Sequence, residues 1–144
     1  MAPTTETDLA TRLRLAVTRT ARRLRQESGS GMSPSLSAAL ATIERRGPLT
    51  PSELADIEAV KRPTATRVVA KLADAGLVDR AGDPDDGRVS LVSITPAGSA
   101  LLSRMRRRKN AYLASRLRGL GPDDIAALER AAEVLERLLE GGRR

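Results

Sequence analysis

This sequence predicts a mainly α chain with one small β-hairpin, and three observations carry that prediction. Of its eight prolines, five stand where a helix would open: Ser33-Pro34, Thr50-Pro51, Arg62-Pro63, Thr95-Pro96 and Gly121-Pro122. Apolar residues recur at helical spacing through six segments and at strand spacing through only two. Those two, "LVDRAG" (77–82) and "VSLVSIT" (89–95), flank an acidic turn with Asp86-Gly87 near its tip.

The first helix is expected over 7–27, with Leu9, Leu13, Val17, Thr20 and Leu24 along one stripe. "ESGSG" (27–31) reads as a loop. The second helix spans 33–46 and turns Leu36, Leu40 and Ile43 inward. A very short third helix, 51–57, opens on "TPSE". Proline suits the first helical position because its missing N–H would have had no partner there. Thr50 and Glu53 complete a capping box around it. The fourth helix, 63–75, points Val68, Val69 and Leu72 to the core. In the second strand the alternation slips phase between Leu91 and Val92, which leaves its buried face open. The fifth helix, 96–118, carries Leu101, Leu102, Met105 and Tyr112. The sixth, 122–140, spaces Ile125, Leu128, Ala132, Leu135 and Leu139 as a seam suited to a partner helix. Gly47, Gly76 and Gly119 each follow a periodic stretch, where a left-handed closing residue is expected.

Composition narrows the chemistry. Across 144 residues there is no Cys, His, Trp or Phe, and one Tyr. Disulfides, thiolate or imidazole metal sites, cysteine nucleophiles and histidine bases are thereby excluded. No stretch has the spacing of a carboxylate metal site or a Ser–Lys pair, so neither an enzyme nor a cofactor is expected. "MAPTTETDLA" lacks a basic stretch followed by an apolar one, and no apolar run nears membrane-spanning length. A soluble, cytoplasmic protein with no membrane partner is expected. Lys and Arg number 25 against 18 Asp and Glu, a net charge of +7 that favours a polyanionic partner.

The order of elements adds more. A short helix, a tight connection, a second helix and a hairpin form a winged helix-turn-helix, in which the second helix enters the major groove of DNA and the wing reaches an adjacent surface. In "KRPTATRVVAKLADAG" the apolar positions are used inward, leaving Arg62, Thr64, Thr66, Arg67 and Lys71 on the outer face and amino end. Arg and Lys bond guanine edges, Thr offers hydroxyl or methyl, and the helix amino end favours phosphate. The runs "ARRLRQE" and "RMRRRKN" read first as solvated faces, with added DNA contact as the alternative.

From Leu49 to Gly98 the sequence resembles the MarR family of bacterial transcription regulators, through "LTPSELA", "KRPTATRVVAKLADAGLVDR" and "DPDDGRVSLVSITPAG". The resemblance implies a homodimer on a pseudo-palindromic operator, with repression the expected outcome. It implies a helical dimerisation region in 1–32 and 96–144 around a DNA-binding lobe in 33–95, whose wing is 77–95. It further implies that Asp86 and Arg88, which fit the family's Asp-x-Arg wing motif, act together in the minor groove. The expected DNA-binding set is Lys61, Arg62, Pro63, Thr64, Thr66, Arg67, Lys71, Asp86 and Arg88. Two positions depart from the family pattern. Lys61 stands where Ser is usual, losing a side-chain cap while adding charge, and Gly87 replaces a frequent Arg or Lys on the wing. A carboxylate beside an arginine can fix its fork in advance of groove entry, so Asp86 is expected to orient Arg88 while Asp83 and Asp85 build the turn. The resemblance also implies a small-molecule effector in the crevice between the helical dimer and the winged lobes, without naming it. A dimer is also expected because the flanking helices carry stripes too long for the lobe to cover; an antiparallel bundle within one chain is the other way to cover them. Two alternatives to a site-specific regulator are a winged-helix module that binds protein and an architectural DNA binder with no cognate site.

Overall fold

The computed structural model describes residues 2–141. Six helices and two strands follow one another: α1 (Glu6–Glu27), α2 (Pro34–Arg46), α3 (Pro51–Glu58), α4 (Arg62–Asp74), β1 (Val78–Gly82), β2 (Ser90–Ile94), α5 (Pro96–Leu117) and α6 (Pro122–Gly141). They fall into two compact units that part between Lys109 and Asn110.

Local chemistry sets the helix starts in the first unit. Ser33 accepts the Leu36 amide ahead of Pro34. Thr50 and Glu53 form the expected capping box around Pro51. Thr95 ties two segments together: its hydroxyl donates to the Gly76 carbonyl at 2.7 Å and accepts the Gly98 amide at 3.1 Å. The helix stops depart from expectation. Gly76 is left-handed at φ 74°, but Gly47 is extended at φ −71° before a cis Pro48, and Gly119 is not left-handed. Instead Ala59, an L-residue, closes α3 at φ 54°. There the Val60 amide bonds the Ala55 carbonyl and the Ala59 amide the Asp56 carbonyl, a closure that favours a left-handed residue even without glycine.

The core of this unit gathers side chains from every element except α1. Leu40 and Ile43 come from α2, Leu54 from α3, Val69 and Leu72 from α4, Val78 and Val92 from the hairpin, and Leu102 and Met105 from α5. Val68 and Leu36, expected inward, are only partly buried at its margin. The hairpin register runs from Val78 opposite Ile94 to Gly82 opposite Ser90. The open question of β2 is settled by its second neighbour. Leu49 pairs with Val92 on the edge away from β1, so Val92 is enclosed at 0% exposure. Leu91 lies half-buried beside it.

The long helices behave differently. α1 and α6 contain no buried residue. On α1, Leu9 is 55% exposed and Val17 48%. On α6, in the second unit, Leu128, Leu138 and Leu139 are all exposed.

Candidate nucleic-acid interface

Helix α4 is seated by Ala65, Val69 and Leu72, which are buried. One consequence of that seating is that Lys61, Arg62, Pro63, Thr66, Arg67 and Lys71 are exposed, with Thr64 partly covered. The amino end of α4 has the open character expected of it: Lys61 is the N-cap residue and makes no side-chain cap bond. First-turn amides left in this way face solvent as donors. Two threonines on this face are partly engaged. Thr66 donates its hydroxyl to the Arg62 carbonyl at 3.0 Å, and Thr64 receives Arg67 at 3.4 Å.

Arg62 turns toward α3. Its Nε donates to Ser52 Oγ at 2.8 Å, and its Nη2 bonds the same oxygen. Ser52 therefore anchors a side chain that would otherwise sample many rotamers. Sequence reasoning missed it, because Thr50 and Glu53 already accounted for the capping box and Ser52 lies ten residues from its partner. Ser52 and Arg62 line an open concavity of about 440 Å³ together with Thr50, Thr66, Arg88 and Ser90. Two guanidinium groups and no carboxylate line this space, so its field suits an anion.

The wing supplies Arg88. The turn is wired to itself: Asp83 pairs its amide with the Val89 carbonyl at 2.8 Å and its carboxylate with the Asp85 amide at 2.8 Å. Asp86 Oδ1 accepts both the amide of Arg88 at 3.1 Å and its Nε at 3.3 Å. The Arg88 side chain remains 93% exposed. An ion pair this exposed contributes little to stability; its structural effect is to hold one edge of the guanidinium and leave the other free. Asp85 was expected to share in building the turn, but its carboxylate makes no such bond among the described residues; Asp83 and Asp86 do that work. In the basic runs, Arg23 pairs with Glu27 and Arg106 with Glu44, each at 2.9 Å.

Helix, left-handed turn, helix and self-wired hairpin, with the second helix presenting a cationic face, define a winged helix-turn-helix protein of the DNA-binding class. Residues 32–90 match the MarR family. An uncharacterized HTH-type transcriptional regulator of Mycobacterium bovis is 42% identical over 133 residues, 92% of this chain and 93% of its own length. The HTH-type transcriptional repressor IacR of Pseudomonas putida is 32% identical over 98 residues, covering 68% of this chain and 59% of that protein. A crystal structure of a transcriptional regulator protein from Pseudomonas aeruginosa superposes with a TM-score of 0.84 at 32% identity, covering 94% of this chain and 97% of that one. The chain belongs to the MarR family, whose members are transcriptional regulators and not enzymes. No helix among the described residues is long and apolar enough to cross a membrane.

Proposed function

We propose that this regulator binds a pseudo-palindromic operator in double-stranded DNA as a homodimer, with α4 in the major groove and the wing in the adjacent minor groove. The observation that carries this reading is the double hold of Asp86 on Arg88 beneath an exposed guanidinium. An arginine fixed in this way loses less freedom when it enters a groove, and the narrow minor groove of A·T-rich DNA attracts it. On α4, Lys61 and Arg62 at the amino end take phosphate, and Pro63 sets that end of the helix. Thr64, Thr66, Arg67 and Lys71 face the base edges.

The apolar stripes exposed on α1 and on α6 support dimerisation through 1–32 and 96–144, with 33–95 as the DNA-binding lobe. Repression is the favoured outcome, in keeping with the name of the IacR relative. The site of action is the cytoplasm, where bacterial DNA lies. Release by a small molecule that favours another spacing of the two α4 helices completes the reading.

Selection from genomic fragments followed by footprinting tests it. The expected footprint is two-fold symmetric, with half-sites about 10 bp apart, centre to centre. Arg88→Ala is expected to keep the circular dichroism spectrum and sedimentation of the parent while weakening operator affinity at least several-fold. Unchanged affinity at physiological salt would remove the wing from the interface. Equal competition by random duplex would make the protein architectural, and binding insensitive to salt would point to a protein partner.

A further inference from the structure

A second concavity lies within the winged lobe, away from the cationic groove. It measures about 300 Å³ and is walled by α2 (Pro34, Ala38), the end of α3 (Leu54, Glu58) and the first turns of α4 (Thr64, Val68). Its lining residues come from α2, α3, α4 and the α3–α4 connection. Its walls are mostly aliphatic, with Ser35 and Thr64 among them, and contain no aromatic ring; the one charged group is Glu58.

Glu58 is held in place by a buried hydroxyl. Its Oε1 accepts the hydroxyl of Thr42, a residue only 2% exposed, which fixes the carboxylate from behind. Arg45 reaches the same hydroxyl at 3.5 Å but makes no ion pair with the carboxylate. The ion pairs among the described residues join Arg23 to Glu27, Arg88 to Asp86, Arg106 to Glu44 and Arg130 to Glu133, and none includes Glu58. Its charge is therefore held by a hydroxyl and not balanced by an ion pair, although it is partly buried. It is also the last residue of α3, at the negative end of that helix, where a cation is favoured and an anion is not.

We propose that this concavity binds a small organic cation, a protonated amine on a compact aliphatic body. The ammonium meets Glu58 and the body packs on Ala38, Leu54 and Val68. With no aromatic wall available, the carboxylate must supply the charge recognition that a ring face would otherwise share. Because α4 forms one wall, an occupant here also touches the back of the helix assigned to the major groove. That consequence for DNA rests on the proposed function; the binding itself does not.

The test titrates the full chain, without DNA, with cyclohexylmethylammonium chloride. Its neutral and anionic counterparts, cyclohexylmethanol and cyclohexanecarboxylate, serve as controls. Binding is followed by amide chemical shifts and calorimetry. The cation is expected to bind at least tenfold tighter than either control and to shift residues of α2, α3 and α4 that line the space. Glu58→Gln is expected to abolish that preference. Should this variant unfold through loss of the Thr42 bond, Ala38→Leu, which fills the space and leaves Glu58 alone, is expected to abolish binding of all three compounds. Equal binding of the three, or cation binding unaffected by a folded Glu58→Gln or by Ala38→Leu, would overturn the proposal. So would shifts at these residues that follow protein concentration with no ligand present, which would assign the surface to contact between copies. Failure of this titration leaves the operator footprint standing, and failure of the footprint leaves the titration standing.

Discussion

The winged lobe and helix α6 are built from similar apolar residues that meet opposite fates. Leu40 and Val92 in the lobe have 0% exposure, whereas Leu138 and Leu139 on α6 have 62% and 77%. Helical periodicity marks both Leu40 on α2 and Leu139 on α6. The difference is what lies opposite: in the lobe, several elements converge on one core and cover one another, while α6 ends up with no buried residue. A periodic apolar stripe therefore states that a face needs covering, and in the proposed dimer the partner subunit covers that of α6. The lobe is expected to fold on contacts within the chain, and the α6 seam to report on association.

The largest expected effect separates these two roles directly. Leu40→Ala removes a fully enclosed side chain and is expected to cost about 2–5 kcal/mol of unfolding free energy at every protein concentration. Leu128→Ala, on the half-exposed seam of α6, is expected to change stability by less than about 0.5 kcal/mol in dilute solution. It should raise the dimer dissociation constant by about tenfold or more, since two copies of the site lose burial, and so lower stability at concentrations where the parent is dimeric. Urea titrations at two concentrations, paired with sedimentation equilibrium, read both numbers. Equal effects of Leu128→Ala at both concentrations, with sedimentation unchanged, would erase the contrast between seam and core.

A smaller effect sharpens the contrast between residues that hold the lobe together and residues that aim it. Ser52→Ala removes the oxygen that receives two N–H groups of Arg62. This site is at the surface, so unfolding should move little. Operator affinity is expected to fall by about 0.5–1.5 kcal/mol, the usual worth of one such hydrogen bond, or roughly twofold to twelvefold. Ser52→Thr, which keeps an oxygen there, should recover most of it. A loss that Thr does not rescue would mean that the hydroxyl acts by some route other than Arg62.

Much of this arrangement is legible in the chain. Prolines led by Ser or Thr mark helix starts to within a residue at α2, α3 and α5, because capping is a contest between neighbours in sequence. The Asp86–Arg88 pair is legible for the same reason, being two residues apart. What stays hidden depends on distant partners. Ser52 gains its role only when α3 and α4 cross. The buried face of β2 depends on Leu49, more than forty residues upstream, which pairs with Val92 on the edge opposite β1. Glu58 looks like any helix-end acid until Thr42, 16 residues earlier, is seen to hold it. The closing residues fail differently: Gly47 and Gly119 follow helical stretches as a left-handed cap would, but backbone conformation there is set by the segment that comes next.

Ala59 provides the smallest prediction and the most local one. An L-residue in the left-handed region carries a penalty of about 1–2 kcal/mol from its Cβ against the backbone, yet Ala59 holds φ 54°. The Val60 and Ala59 amides compensate by bonding the Ala55 and Asp56 carbonyls at 3.0 and 3.3 Å. Ala59→Gly removes the Cβ conflict and also gives the unfolded chain more freedom, which returns about half of the gain. The net expectation is a stabilisation of about 0.5–1 kcal/mol, read as a higher urea midpoint with unchanged slope. Operator affinity should stay as it is, because Ala59 lies outside both the cationic groove and the wing. A loss of stability on Ala59→Gly would mean that the turn into α4 is held by the methyl group itself, and the lobe would then depend on side-chain packing at the one place where its backbone bonds looked sufficient.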